Sequence, residues 1–405
     1  MRKRFFALLL CLSLALSLLA GCAGSGAASS AAAAAATATP APTATPEPYD
    51  PNPLTGEAKG ADYIAERPIA VMINNISVAR PQRGLNDADV LFEIMVEGGI
   101  TRFMGLYENY QSLGDVGPVR SARDQFFRLI RPFQPLYIHI GRSAITQQYM
   151  DDNDYGDLNV DGDNVTITYF DKARHNSGKA TEHCSYTSGK IISDYIDKQG
   201  IDMSRALTSP IFDFVDYREP ARALSGQDAA SVGIVHSNSY RTYFTYDAGS
   251  GKYLMSQYNS HSGAVEETAD EVTGVRTAFN NVLVLFTTIT TYPYPGGNID
   301  PKTGADKGDP DYKKVDYDYG GVGYYINGGK AEEIRWSKGA TGAPLMLTDT
   351  SGNSLKLNTG KTYVGIVSLD EYDNFKIEGS GDAASSVSVS AGDAASESAA
   401  EAAGE

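Results

Sequence analysis

Cysteine is scarce in this 405-residue chain: there are three, and Cys11 and Cys22 both lie within the first 22 residues. A disulfide-stapled scaffold is excluded, because Cys184 has no intrachain partner once Cys11 is removed and Cys22 modified. Bases are also in short supply, 34 Lys and Arg against 50 Asp and Glu, for a formal charge of −16. Such a chain lacks the basic stripe that general binding to nucleic-acid phosphates requires, so no nucleic-acid partner is expected. The five histidines, His139, His175, His183, His236 and His261, include no HExxH pair or comparable ligand spacing; neither metal nor cofactor is expected. What is present is ample apolar material, 42% hydrophobic residues with 25 Tyr, too much for a wholly disordered protein. The length predicts more than one domain.

Residues 1–22, MRKRFFALLLCLSLALSLLAGC, combine a basic start, an apolar run from Phe5 to Leu19 and a small-residue end, the three parts of an export signal. The run is shorter than the roughly 20 apolar residues of a membrane span. Its end, Leu19-Ala20-Gly21-Cys22, resembles the bacterial lipobox. That resemblance implies a diacylglyceryl group on the Cys22 thiol, with Cys22 as the new N-terminus and further acylation, such as palmitate, for lasting anchorage. Membrane lipid, reached through acylated Cys22, is thus the first expected partner, and the outer face of a bacterial cytoplasmic membrane the expected location. Residues 23–48 are almost entirely Ala, Ser, Thr, Gly and Pro and read as a spacer. Residues 379–405 carry five acids, no base and no aromatic and read as a solvated tail.

Between these segments the texture changes once. Over 49–225, apolar runs at 68–74, 89–96, 102–107, 135–141 and 165–170 read as strands, and 121–133 and 190–200 as helices, predicting an α/β layered domain. Ser121, three residues before Asp124, fits the first helix start, and Pro132 its stop. Over 229–378, short β-rich runs such as VGIVHS, YRTYFTYD, NVLVLFTTITTY and TYVGIVSL are separated by Gly, Asn and Asp, predicting an antiparallel β-rich domain.

Several of these segments are recognisable. EGGITRF at 97–103, GPVRSARD at 117–124, YIHIGRS at 137–143, HCSYTS at 183–188 and GVGYYINGGKAEEIRWSK at 321–338 resemble the YerB-like bacterial lipoproteins. In HCSYTS, Cys184 stands where that family's pattern has Asn, and a nucleophilic role is not expected of it. The resemblance covers nearly all of 49–370. It implies a two-domain envelope lipoprotein and no catalytic residues.

The candidate site is a group of arginines. Arg120 and Arg123 fall at the expected helix start, with Arg102 and Arg142 (and Arg83) in neighbouring segments. Two cations at a helix N-terminus cost about 0.3–1 kcal/mol each unless an anion compensates. Either a bound phosphate or carboxylate or a structural network with Glu97, Glu93 or Asp124 would serve. Glu97, His139 and His183 are candidate pocket residues, although His139, alternating with Ile138 and Ile140, equally suits a core. The order Pro118, Arg120, Asp124, with Arg83, Asp87 and Asp89 upstream, is similar to the LytR-CpsA-Psr cell-wall ligases. That second resemblance implies arginines on a phosphate-linked precursor and acids on a divalent ion. Acidic runs at 151–163 and 300–318 miss the EF-hand register and read as solvated loops. The C-terminal tyrosines and Trp336 suit either a β core or a glycan or protein surface. Taken together, these features favour an accessory or binding module for a cell-wall assembly protein or anionic envelope polymer, with phosphotransferase or hydrolase activity as the alternative.

Overall fold

The computed structural model describes residues 49–60, 66–204, 210–293 and 310–380. The leader with Cys22, the spacer, most of the acidic tail and the middle of the 292–314 loop lie outside these residues. No helix among the described residues is long and apolar enough to cross a membrane.

The first half of the chain supplies β1 (Ile69–Asn74), β2 (Val90–Met95), β3 (Thr101–Tyr107), α1 (Asp124–Ile130), β4 (Leu136–His139), α2 (Ala144–Asp151), β5 (Asn159–Asp161) and α3 (Gly189–Gln199). The second half supplies β6 (Ser231–Val235), β7 (Arg241–Asp247), β8 (Lys252–Asn259), β9 (Ala264–Glu267), β10 (Asn281–Thr287), β11 (Gly321–Asn327), β12 (Lys330–Ser337), β13 (Met346–Asp349), β14 (Thr362–Ser368) and β15 (Lys376–Glu378). The expected fold class holds, an N-terminal mixed sheet with helices followed by a mostly antiparallel C-terminal half.

The two halves share one sheet, in the order β13-β12-β11-β10-β14-β2-β3-β1-β4-β5, with Gln227–Asp228 added against β12. The junction is β14, which runs parallel to β10 on one side and to β2 on the other. Its sequence, TYVGIVS, is buried along its whole length, as a strand paired on both edges and covered on both faces must be. Period-2 alternation then divides the apolar residues between two cores. On one face Ala70, Met72, Phe92, Ile94 and Val364 pack beneath Phe126, Phe127 and Ile130 of α1. On the other, Val71, Ile73, Leu91 and Tyr363 pack against Ile192 of α3 and against Val232, Ile234 and Phe244 of the second sheet, β9-β8-β7-β6-β15. A fragment ending at residue 228 would leave β2 as an apolar edge strand without β14. We expect it to aggregate on expression; a soluble fragment with a cooperative urea transition would contradict the shared-sheet account.

Two local expectations are corrected. The first helix begins at Asp124, not Ser121: Arg123 is its N-cap, in extended conformation, and no side chain caps it. The run 165–170 forms only the short strand Tyr169–Phe170. His183 closes a 3-10 turn, and the strand Ser185–Ser188 intervenes before α3. The helix α2, capped by the Ser143 hydroxyl accepting from Thr146 N, was not evident in sequence.

Candidate functional site

β1 and β4 run parallel over 69–71 and 136–138 and then separate. The segment 118–122 enters the gap. Asn74 N donates to Pro118 O, Arg120 N to Met72 O, Ile140 N to Arg120 O and Ala122 N to Gly141 O. The arginine group therefore lies at the carboxyl ends of parallel strands, where ligands of open α/β sheets commonly bind.

Within that group, Arg102 and Arg123 are not available to a ligand. Arg102 Nη2 donates to Glu97 Oε1 at 2.7 Å and its Nη1 to Ser121 O at 2.7 Å. Arg123 Nε donates to Glu97 Oε2 at 2.9 Å, its Nη2 also reaches Glu97, and its guanidinium lies 5.3 Å from the Tyr312 ring. Arg102 is 2% exposed, Glu97 2% and Arg123 6%, so the expected anion contact at Arg102 and Arg123 is corrected to a buried ion cluster. Burial would raise the Glu97 carboxyl, but the two guanidinium groups outweigh it and hold it at about 2. Burial and then Arg123 push Arg102 down, whereas Glu97 overcomes burial and holds Arg123 up. One carboxylate thus serves two buried cations, and Arg102 Nε has no hydrogen-bond partner.

Arg142 is likewise engaged, with Asp161 and Gln147. Asp161 also accepts from Gly141 N at 2.9 Å and so fixes the turn after β4. His139 is a core histidine: Nδ1 meets Gly141 O at 2.9 Å and Nε2 meets Asn159 Oδ1 at 2.6 Å, occupying both ring nitrogens. Burial pushes its pKa down. As pocket residues, Glu97 and His139 are therefore corrected, since neither has a polar atom left for a guest.

Arg120 and His183 differ. Arg120 is half-buried. His183 is 1% exposed. Ile76 N donates to Asn74 Oδ1 at 3.1 Å, which turns the Asn74 amide so that Nδ2 faces His183 Nδ1 at 3.1 Å. The ring proton then sits on Nε2, which has no hydrogen-bond partner. Burial, reinforced by Arg120, Lys179 and Arg174 against Glu182, pushes His183 down to about 4, so the ring is neutral at physiological pH. Asn74 stands directly opposite Arg102 across β1 and β3. Nothing in the sequence pattern singled out Asn74; it is found only through that pairing.

The acids of the ligase comparison are elsewhere. Asp89 N bonds Leu106 O, four residues along β3 from Arg102 and therefore about 13 Å away. Asp124 accepts from Tyr292 OH at 2.9 Å. Arg83 pairs with Asp115, Asp171 and Glu271 and stacks 4.1 Å from Tyr186. Among the described residues no cluster of His, Cys, Asp or Glu could hold a metal ion. Cys184 is buried with Sγ 3.2 Å from Ala180 O, and burial raises its pKa. Of the C-terminal aromatics, Tyr240, Tyr243, Tyr317, Tyr325 and Trp336 are core residues, while Tyr319 is 90% exposed.

A mixed sheet joined to a second, antiparallel sheet, with its buried ionic residues largely paired within the chain, defines a two-domain, strand-rich protein. The chain belongs to the family described as protein of unknown function (DUF3048), its N-terminal domain matching residues 54–202 and its C-terminal domain residues 231–364. It is 28% identical over 321 residues to "Putative lipoprotein YerB" of Bacillus subtilis (strain 168), covering 78% of this chain and 85% of that protein. The crystal structure of YerB protein from Bacillus subtilis superposes with a TM-score of 0.63 at 24% identity, over 81% of this chain and 99% of that one, and shows the same fold.

Proposed function

We propose that this protein is a lipid-anchored extracytoplasmic binding module that holds an anionic group of an envelope polymer, or of a cell-wall assembly protein, at Arg120. The supporting observation is the gathering of three arginines at the strand ends. Arg102 and Arg123 share the single carboxylate of Glu97, and Arg120 adds a third cation beside them. The Nε2–H of neutral His183, which makes no hydrogen bond and lies 3.9 Å from the Glu182 carboxylate, is within the field of Arg120 and supplies a donor. The lipobox at 19–22 and the likeness to a lipoprotein support the anchored location.

Two measurements test the reading. Calorimetric titration with poly(glycerol phosphate) should give salt-sensitive binding that weakens roughly tenfold or more in Arg120→Ala, in line with a charged hydrogen bond of about 1.5–3 kcal/mol. Equal binding by that variant would remove the site. Separately, Cys22→Ser should release the protein from membranes into the medium and abolish palmitate labelling; continued membrane retention would rule out the anchor.

A further inference from the structure

A second crevice lies across the junction of the two halves. β2, β14 and β10 are mutually parallel, and their carboxyl ends, at Met95, Ser368 and the Thr287–Ile289 step, border a cavity of about 370 Å³. Its remaining walls come from the Gly98–Gly99 turn, the 236–239 turn after β6, and Asp370 and Glu371. A cavity at the carboxyl ends of neighbouring parallel strands, built from two chain segments, is a common place for a small-molecule site.

Behind His236, which lines the cavity, lies a buried polar assembly. Glu93, fully buried on β2, accepts from Tyr363 OH at 2.6 Å, Thr242 Oγ1 at 2.7 Å, Thr101 Oγ1 at 2.8 Å and Asn75 Nδ2 at 3.2 Å. His236 Nε2 lies 3.6 Å from Glu93 and 3.5 Å from Tyr363 OH. A carboxylate behind Nε2 orients the ring with that nitrogen protonated, as in other acid–histidine pairs. His236, 2% exposed, borders the cavity, and its Nδ1 has no hydrogen-bond partner. A buried ring nitrogen without a partner costs about 1–3 kcal/mol and calls for an occupant.

The walls define what that occupant is. Lys313 is already held by Asp311 at 2.6 Å. Asp370 receives only the Ser368 hydroxyl and Glu371 only the Asn374 amide, and among the described residues neither meets a lysine or arginine. Two carboxylates without a counter-cation favour a positively charged guest. His236 Nδ1, a bare acceptor, asks in addition for a hydroxyl donor on the guest. The volume suits one ring-sized molecule.

We propose that this cavity binds a small hydroxylated amine of monosaccharide size, its ammonium facing Asp370 and Glu371 and one hydroxyl donating to His236 Nδ1. The site is separate from the Arg120 crevice, and neither proposal depends on the other.

Calorimetry on the full chain with glucosamine as probe, together with the imidazole nitrogen resonances of His236, tests the assignment. Saturable binding should appear at millimolar glucosamine, shift the His236 Nδ1 signal, and weaken roughly tenfold or more in the surface variant Glu371→Gln and in Asp370→Asn. His236→Gln should lose binding as well, but the surface variants decide the matter should that buried change disturb folding. Arg120→Ala should leave glucosamine binding unchanged. Absence of saturable heat, or a Glu371→Gln/Asp370→Asn protein that binds as the wild type does, overturns the site. Glucose, which lacks the amine, should bind at least tenfold more weakly; equal affinity overturns the ammonium assignment.

Discussion

Replacing Glu97 by Ala should lower the unfolding free energy by about 3–5 kcal/mol, the loss expected when one partner of a buried ion pair is removed and its cation is stranded. Here two cations are stranded, Arg102 and Arg123, both within the protein interior. In urea the midpoint should fall sharply while the slope of the transition is retained. A triple variant separates charge from packing. Exchanging Glu97, Arg102 and Arg123 together for apolar residues of similar size should recover much of the lost stability, because no uncompensated charge then remains. A midpoint unchanged in Glu97→Ala would show that the arginines find other partners and would dismantle this account of the cluster.

Glu93→Gln should be comparably severe, roughly 3–5 kcal/mol, for a different reason. The carboxylate accepts from four side chains, whereas Gln offers one acceptor and brings two new donors into a ring of donors. Asn75 and Thr101 belong to the first half of the chain, and Thr242, His236 and Tyr363 to the second. The variant should therefore weaken both halves within one transition; two resolved transitions would contradict the role of Glu93 as a shared hub.

The same residues give the pH profile its acid limb. Glu93 and Glu97 are both held at about 2, below their ordinary 4.5, by His236 and hydroxyl donors in one case and by Arg102 and Arg123 in the other. Depressed carboxyl values add stability that is fully present above about pH 4.5 and lost as the pH falls through about 2. Asp89 and Asp124 act in the opposite sense. Burial raises each to about 6, so their cost at neutral pH is relieved on mild acidification. His183, pushed down to about 4, offsets part of that gain below its ordinary 6.5. Stability should thus change little between neutral pH and about 4.5, then fall steeply, and Glu93→Gln should shallow that fall. Urea midpoints across the range check it; a profile still falling as steeply in the variant would separate Glu93 from the acid transition.

The class of the fold and the boundaries of most strands were legible because period-2 patterning and Gly, Pro and Asn punctuation are local signals. VLFEIM and TYVGIVS are strands wherever they are placed. Their partnership was not legible: β2 and β14 lie more than 250 residues apart, and nothing local states that TYVGIVS inserts between NVLVLFT and VLFEIM. Arg102, Arg120 and Arg123 meet at one end of the sheet, whereas Arg83 pairs apart from them with Asp115, Asp171 and Glu271. What no spacing rule could supply was the sharing of Glu97, which turns Arg102 and Arg123 into interior ions. His236 carried no signal either, because its meaning comes from Glu93 and Tyr363, each brought to it by sheet pairing. The sequence by itself determined the fold class, most of the strands and the acidic character, all carried by local patterning and composition. Tertiary structure alone decided which charges are neutralised and which polar atoms face a cavity, because burial and long-range pairing, not residue type, set the free energy of a charge.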